Sequence, residues 1–178
     1  MTEIETDRLL LRRWREEDLD AYTRICADPE VMRYMGGPRT RRRCEEQIAG
    51  FVRHWEERGF GQWAVEEKAT GAFIGRIGLL YHEDWPEGEH KTEVGWLLER
   101  SFWGRGLATE GARVSVRHGF EKLELERIIS IIHPENTASR RVAERVGLAY
   151  QGGTCWRGLD VIWYAIDRPH WELEADTS

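Results

Sequence analysis

Between residues 92 and 109 the chain reads TEVGWLLERSFWGRGLAT. The first part, Thr92–Leu98, is an apolar segment with the length of a strand, and the residues from Gly106 onward follow the period of a helix. Gly104 and Gly106 lie between the two segments. Glycine adopts backbone conformations that other residues avoid, so this pair predicts a tight turn from strand to helix.

The turn has the features of an anion-binding site. Several of its N–H groups can face one side, at the positive end of the helix dipole. Bulky side chains at Gly104 or Gly106 would obstruct phosphate oxygens, whereas Thr109 can add a hydroxyl donor and Arg105 a positive charge. We therefore expect the turn to bind a diphosphate. A glycine turn that serves packing alone is the alternative.

The elements around the turn predict one mixed α/β domain over residues 1–178. A helix over Gly106–Glu121 and a strand over Ile128–Ile132 would form, with Thr92–Leu98, a parallel pair joined by a crossover helix. The other predicted strands are Ile4–Trp14, Phe60–Glu66, Ala72–Leu80 and Asp160–Asp167. The other predicted helices are Glu16–Ala27, Arg41–Arg58 and Glu135–Val146.

Gly95 stands within the predicted strand, where a packed side chain would be usual. Such a glycine marks a bulge or the close approach of another chain. If the parallel strands splay apart beyond Gly95, their free backbone groups can pair with an extended ligand as with an added strand. We expect a bulge at Trp96–Leu97 to free N–H groups there.

Composition excludes several classes of protein. The 178 residues are 40% apolar and 33% charged, which is ordinary for a globular domain. A net charge of -6 disfavours nucleic-acid binding. The chain has an acidic start and no apolar run near the roughly 20 residues that cross a membrane, so we expect a cytoplasmic protein. Its cysteines and histidines show no ligand spacing, so we expect neither a metal nor a disulfide framework.

Four segments, in this order, resemble the GNAT superfamily of N-acetyltransferases and, within it, the ribosomal-protein (RimJ/RimL-type) branch. They are Glu5–Arg12, Glu93–Trp96, Trp103–Glu110 and His133–Ser139. The resemblance covers nearly the whole chain. It implies a mostly antiparallel central sheet of six or seven strands with a splayed parallel pair and flanking helices, and it implies acetyl-coenzyme A as cosubstrate.

The resemblance also implies the site residues. Those expected to bind the coenzyme are Trp96, Leu97, Leu98, Trp103, Gly104, Arg105, Gly106, Leu107, Ala108, Thr109, Asn136 and Ser139. Many superfamily members have Gln or Arg where this chain has Trp103. The tyrosine that protonates the departing thiolate in many relatives is replaced by Ala143, so Ser139 becomes the candidate for that role. We expect Glu93 to be the base, directly or through water, unless it is a surface glutamate paired with an arginine.

The fold and the coenzyme motif set the donor, whereas variable loops choose the acceptor. The resemblance implies a primary amine, either a protein N-terminal α-amine or a small amine or amino acid, and an aminoglycoside-like compound is a third candidate. His82 and Trp85 are expected to line its site. The basic run Arg39–Arg43 is a solvated helix start or a rim for an acidic acceptor.

A non-catalytic acyl-coenzyme A sensor is one alternative function. A dinucleotide-binding oxidoreductase is another, although its fingerprint would need a third glycine at Thr109. Monomer and homodimer both fit.

Overall fold

The computed structural model describes residues 3–175. Its strands are β1 (Ile4–Glu5), β2 (Leu9–Arg12), β3 (Gln62–Glu67), β4 (Ala72–Tyr81), β5 (Thr92–Leu98), β6 (Arg127–Ile132), β7 (Ala149–Trp156) and β8 (Leu159–Asp167). Its α-helices are α1 (Asp18–Ala27), α2 (Arg41–Arg58), α3 (Leu107–Glu121), α4 (Thr137–Val146) and α5 (Arg168–Ala175). Among the described residues, no helix is both long and apolar enough to cross a membrane.

The strands form a single sheet in the order β1-β2-β3-β4-β5-β6-β8-β7. Among the strand pairs of the described residues, only β5–β6 is parallel, which confirms the predicted fold class. Within residues 3–175, the sheet has eight strands rather than the expected six or seven. One extra strand arises because the predicted first strand is divided at residues 6–8, and the other is β7, which we did not predict. β7 is an edge strand with two glycines and mostly exposed side chains, so it lacks an apolar alternation.

Helix ends and close packing fix α3 against the sheet. Gly106 has φ +77° and forms the N-cap of α3. Further along the helix, a Cβ on Gly111 would collide with Ile77 of β4. The missing side chain lets α3 lie close to the sheet, so that its N-terminus is held beside the end of β5. A separate apolar cluster that includes Tyr22, Cys26 and Phe51 packs α1 and α2 together.

The parallel strands diverge after one point of contact. β5 and β6 are paired only at Glu93↔Ile129. On its other edge, β5 pairs with β4 without interruption from Thr92 to Leu98. The expected bulge at Trp96–Leu97 is therefore wrong, because the space is opened by the divergence of β6 and not by a distortion of β5. We call the space between β5 and β6 beyond Glu93 the gap.

A buried ion pair ties β2 to α1. Two guanidinium nitrogens of Arg12 lie 2.8 Å from the two carboxylate oxygens of Asp18, and both side chains are almost fully buried. Asp18 also accepts a hydrogen bond from the Arg15 N–H at 2.8 Å, and Arg12 Nε donates to Glu66 at 3.0 Å. The pKa of Arg12 is raised, mainly by its hydrogen bond to Asp18. Breaking one partner of such a pair leaves an uncompensated buried charge.

Asp18→Ala should therefore lower the free energy of unfolding by about 3 kcal/mol. Urea denaturation at pH 7 measures this change. Asp20→Ala is the matched control, because Asp20 lies on the same helix and pairs with Arg41 in an exposed position. Its loss should cost less than about 1 kcal/mol. Equal costs for the two variants would contradict a stabilising role for the buried pair.

Candidate active site

The glycine turn, residues 103–109, is open to solvent at both of its glycines. Gly104 has φ +72° and Gly106 has φ +77°, in the left-handed region that favours glycine. Among the atoms of residues 3–175, a Cβ at Gly104 would meet none within 4 Å, and one at Gly106 would meet only Nη2 of Arg8, at 3.6 Å. The glycines thus set the shape of the backbone and leave free space in front of it.

The N–H groups of the turn are available to a ligand. The first N–H groups of α3 have no intrahelical acceptor by the geometry of a helix, and the first helical bond runs from the Glu110 N–H to the Gly106 carbonyl at 3.0 Å. In residues 3–175, none of the hydrogen bonds uses the N–H of Gly104, Arg105 or Gly106. Unpaired donors at a helix N-terminus suit a phosphate group.

The side chains of the turn are less available than the backbone. Arg105 pairs with Glu67 at 2.5 Å and lies over the Phe102 ring at 5.0 Å. Hydrogen bonds from Thr70 and then Arg105 hold the pKa of Glu67 below its usual value. The side chains of Leu107 and Thr109 are buried, so these two residues can offer a ligand mainly their N–H groups.

Trp103 closes the end of β5. Its indole N–H donates to the Leu98 carbonyl at 2.8 Å, and about half of the residue is exposed. This contact occupies a carbonyl at the end of the strand and places a large ring beside the glycine turn.

The N-terminal segment is fastened to the glycine turn. One carboxylate, Glu110 in the first turn of α3, accepts hydrogen bonds from the Thr6 hydroxyl at 2.5 Å and from Arg8 Nε at 2.7 Å. Arg8 Nη1 also donates to the Arg105 carbonyl at 2.8 Å. Arg8 and Glu110 both lie in the motif segments that carry the family resemblance, but their positions in the sequence do not indicate this contact.

Across the gap, β5 meets the start of α4. The indole N–H of Trp96 donates to the Ser139 hydroxyl oxygen at 3.3 Å. The Ser139 N–H in turn donates to the Asn136 side chain at 3.1 Å, which makes Asn136 the N-cap of α4. The structure thus brings together three predicted site residues that are up to 43 positions apart in the chain.

Glu93 lies at the vertex of the gap and is paired with a histidine. Its Oε1 accepts the Ile131 N–H of β6 at 3.2 Å, and its Oε2 lies 2.6 Å from His82 Nε2. Both side chains are largely shielded from solvent. The alternative of a surface glutamate paired with an arginine is wrong. The Glu93 carboxylate thus accepts a hydrogen bond from an N–H group of β6 that lies beyond the single bridge between β5 and β6.

Aromatic rings back the Glu93–His82 pair. The His82 ring packs edge-on against Trp156 at 4.8 Å between centroids, and Trp85 lies behind it, 5.5 Å from Trp156. Trp85 is buried and so does not line an open acceptor site as expected. At the end of β6, the Tyr34 ring packs against the His133 ring at 5.0 Å between centroids, which brings the segment between α1 and α2 there.

The basic run belongs to the exposed start of α2. Arg41 pairs with Asp20, and Arg42 pairs with Glu46 at 3.0 Å. A cavity of about 740 Å³ lies beside it, lined by Met35–Thr40, Arg43, Glu46 and Gln47. Among residues 3–175, no cluster of three or more His, Cys, Asp or Glu side chains has the arrangement of a metal site.

Known proteins are similar to this chain in sequence and in fold. Residues 8–149 match the family model described as an acetyltransferase (GNAT) domain. The Bacillus subtilis uncharacterized N-acetyltransferase YnaD is 30% identical over 177 residues, which cover 94% of this chain and 98% of that protein. The crystal structure of an acetyltransferase from Agrobacterium tumefaciens superposes with a TM-score of 0.84 at 29% identity, covering 94% and 95% of the two chains.

A further relative supports the resemblance to the ribosomal-protein branch. The putative ribosomal N-acetyltransferase YdaF of Bacillus subtilis is 30% identical over 110 residues, which cover 58% of each chain. None of these matches is to an oxidoreductase or a sensor. With the family model covering most of the sequence, the chain belongs to the GNAT acetyltransferase family and is an acetyl-coenzyme A-dependent N-acetyltransferase.

Proposed function

We propose that the gap receives the acetyl-pantetheine arm of acetyl-coenzyme A, that the glycine turn binds its diphosphate, and that the acetyl group passes to a primary amine. The amine belongs to a protein N-terminus or to a small amine or amino acid. The observation that carries this proposal is the single bridge between β5 and β6, because it leaves the edge of β5 unpaired beside the free N–H groups of the turn.

The edge of β5 offers defined backbone groups. Leu97 turns its carbonyl toward Gly75 of β4, and the Glu99 N–H donates to Ile74 at 2.8 Å. In a strand, the N–H and C=O groups of one residue point to one edge and those of the next residue to the other edge. The N–H and C=O groups of Trp96 and Leu98 therefore face the gap. The Leu98 carbonyl is taken by Trp103. The N–H groups of Trp96 and Leu98 are therefore the candidates to polarise a carbonyl, while Leu97 contributes to the wall through its side chain.

Glu93, with His82 as its hydrogen-bond partner, acts on the proton of the incoming amine. The amine must lose a proton to attack the thioester that acetyl-coenzyme A supplies. The pKa is about 8 for an α-amine and about 10.4 for lysine, so a lysine-like acceptor needs more help from a base. Ile131 and His82 fix the Glu93 carboxylate at the vertex of the gap. From there it can accept the proton directly or through a water molecule, with His82 as its hydrogen-bond partner.

Ser139 donates a hydrogen bond to the leaving thiolate. Its hydroxyl oxygen already accepts a hydrogen bond from Trp96, so its own hydrogen is free to be donated toward the gap. The residue lies in the first turn of α4, where the helix dipole favours a negative charge. Asn136 fixes the Ser139 backbone and can use its remaining amide hydrogens for the pantetheine arm.

The loop between β4 and β5 supports a cationic acceptor. It carries Glu83, Asp84, Glu87 and Glu89, and of these Asp84 is paired with Arg157 at 2.7 Å. This loop leads into Thr92, the residue before Glu93, and its excess of carboxylates attracts a protonated amine. The likeness to a protein named as a putative ribosomal N-acetyltransferase favours a peptide N-terminus as that amine.

Gly106→Val should weaken binding of coenzyme A at least about tenfold, because a branched side chain enters the space in front of the turn. Gly158→Val is the matched control. Gly158 has φ +76°, almost the same as Gly106, and open space around it, but it lies in the turn between β7 and β8. Both variants should lose similar thermal stability, and only Gly106→Val should change the Kd by calorimetry. A similar Kd for both variants would place the diphosphate elsewhere.

Ser139→Ala should lower kcat by about tenfold or more and leave the Kd for coenzyme A within about twofold, since the hydroxyl acts on the leaving group. Ser101→Ala, an exposed serine next to the glycine turn, is the control and should keep full turnover. Steady-state kinetics over a range of pH measures the effect. Full turnover of Ser139→Ala at every pH would remove Ser139 from the mechanism.

Glu93→Gln should lower kcat/KM by about 10²-fold for a lysine-like acceptor and by less for an α-amine, because the α-amine is more often already neutral. The loss should shrink as pH rises and free amine accumulates. Glu121→Gln, at an exposed position near the end of α3, is the control. Equal losses with both acceptors, independent of pH, would mean that Glu93 only holds the strands in place.

A further inference from the structure

Arg8 joins the glycine turn to Glu110 of α3, and the acetyl transfer proposed above assigns it no role. It lies between β1 and β2, and its guanidinium contacts the glycine turn through the Arg105 carbonyl at 2.8 Å. The same group holds Glu110 of α3 through Nε at 2.7 Å and Nη2 at 2.5 Å. The planar fork of an arginine can make both contacts at once and fixes their relative direction.

The contact with the Arg105 carbonyl also determines where the next N–H points. A trans peptide group is planar, and its C=O and N–H point in opposite directions. Since Arg8 holds the oxygen of the Arg105–Gly106 peptide, the Gly106 N–H must point away from Arg8. It thereby joins the unpaired donors of the α3 N-terminus. Without this contact, a glycine on one side of the peptide would let the group rotate more freely.

Glu110 keeps Arg8 in place. Its Oε1 accepts from the Thr6 hydroxyl at 2.5 Å and from the Arg8 N–H at 3.1 Å, so both backbone and side chain of Arg8 are fastened to α3. Burial alone would raise the pKa of Glu110, but the hydrogen bonds from Thr6 and Arg8 outweigh it and leave the pKa lowered. The carboxylate is then charged at neutral pH, as the pairing requires.

We propose that Arg8 is a positioning residue for coenzyme binding, which orients the Arg105–Gly106 peptide so that the Gly106 N–H faces the diphosphate. This inference rests on the proposed function of the glycine turn. The role is specific to the diphosphate, because in the part of the chain that the structure describes none of the Arg8 contacts involves a residue of the gap, where the thioester reacts.

Arg8→Ala tests the proposal with two substrates that differ in the diphosphate. The variant should bind coenzyme A about 5- to 20-fold more weakly by calorimetry, with a matching rise in KM for acetyl-coenzyme A, as expected for one lost hydrogen bond to an anion site. Its kcat/KM with acetyl-pantetheine, which lacks the diphosphate, should stay within about twofold of the parent protein. A general loss of structure would lower both activities alike.

Two further variants complete the test. Arg15→Ala is the matched control, because Arg15 is 49% exposed like Arg8 and pairs with glutamates, but away from the turn. It should leave the Kd for coenzyme A unchanged. Arg8→Lys keeps the charge and a pair with Glu110 but cannot make both contacts, so it should show the same selective loss and covers the case in which Arg8→Ala fails to fold.

An unchanged Kd for coenzyme A in both Arg8 variants would overturn the proposal, and so would equal losses with acetyl-coenzyme A and acetyl-pantetheine. Failure of the parent protein to bind coenzyme A at all is a different result. It would contradict the proposed function of the glycine turn itself.

Discussion

The one bridge between β5 and β6, at Glu93↔Ile129, is the constraint on which the candidate site depends. A longer β5–β6 ladder would pair the backbone groups on this edge of β5. Without any bridge, the two halves of the sheet would be unconnected. The Glu93 carboxylate holds the vertex by taking the Ile131 N–H, while His82 holds the carboxylate. Because α3 follows β5 and α4 follows β6, the N-termini of both helices lie at the same end of the sheet. The gap is thus flanked by two positive helix ends, one with open glycines and one with Ser139.

Side-chain contacts over long sequence distances keep this end of the sheet in register. Glu110 joins the N-terminal segment to α3 over 104 residues, and Trp96 joins β5 to α4 over 43 residues. Both contacts involve polar atoms whose burial would be costly without a partner. The same groups that could bind or react are therefore also those that hold the walls together. For this reason, substitutions near the gap need a control for stability.

Sequence patterns predicted the parts of the fold whose residues act locally. Gly104 and Gly106 marked the turn, and the apolar β5 and β6 with the helix between them marked the parallel pair. A threonine directly before a helical pattern favours an N-cap, and Thr40 accepts a hydrogen bond from the Arg43 N–H at the start of α2. β7 could not be predicted, since an exposed edge strand with glycines has no apolar period. Contacts such as Glu93–His82 and Arg8–Glu110 depend on how strands and helices are brought together, and charge spacing along the chain does not encode them. The buried position of Trp85 has the same origin.

The gap is proposed to place an amine against an activated acetyl group. The most direct measurement is the rate of free thiol release from acetyl-coenzyme A by the purified protein, with and without a panel of peptide N-termini, small amines and lysine-like compounds. The expected result is slow release alone and a strong increase with at least one primary amine, with one N-acetylated product formed per thiol. Binding of acetyl-coenzyme A without any amine-dependent release would contradict it and would indicate a protein that senses the coenzyme.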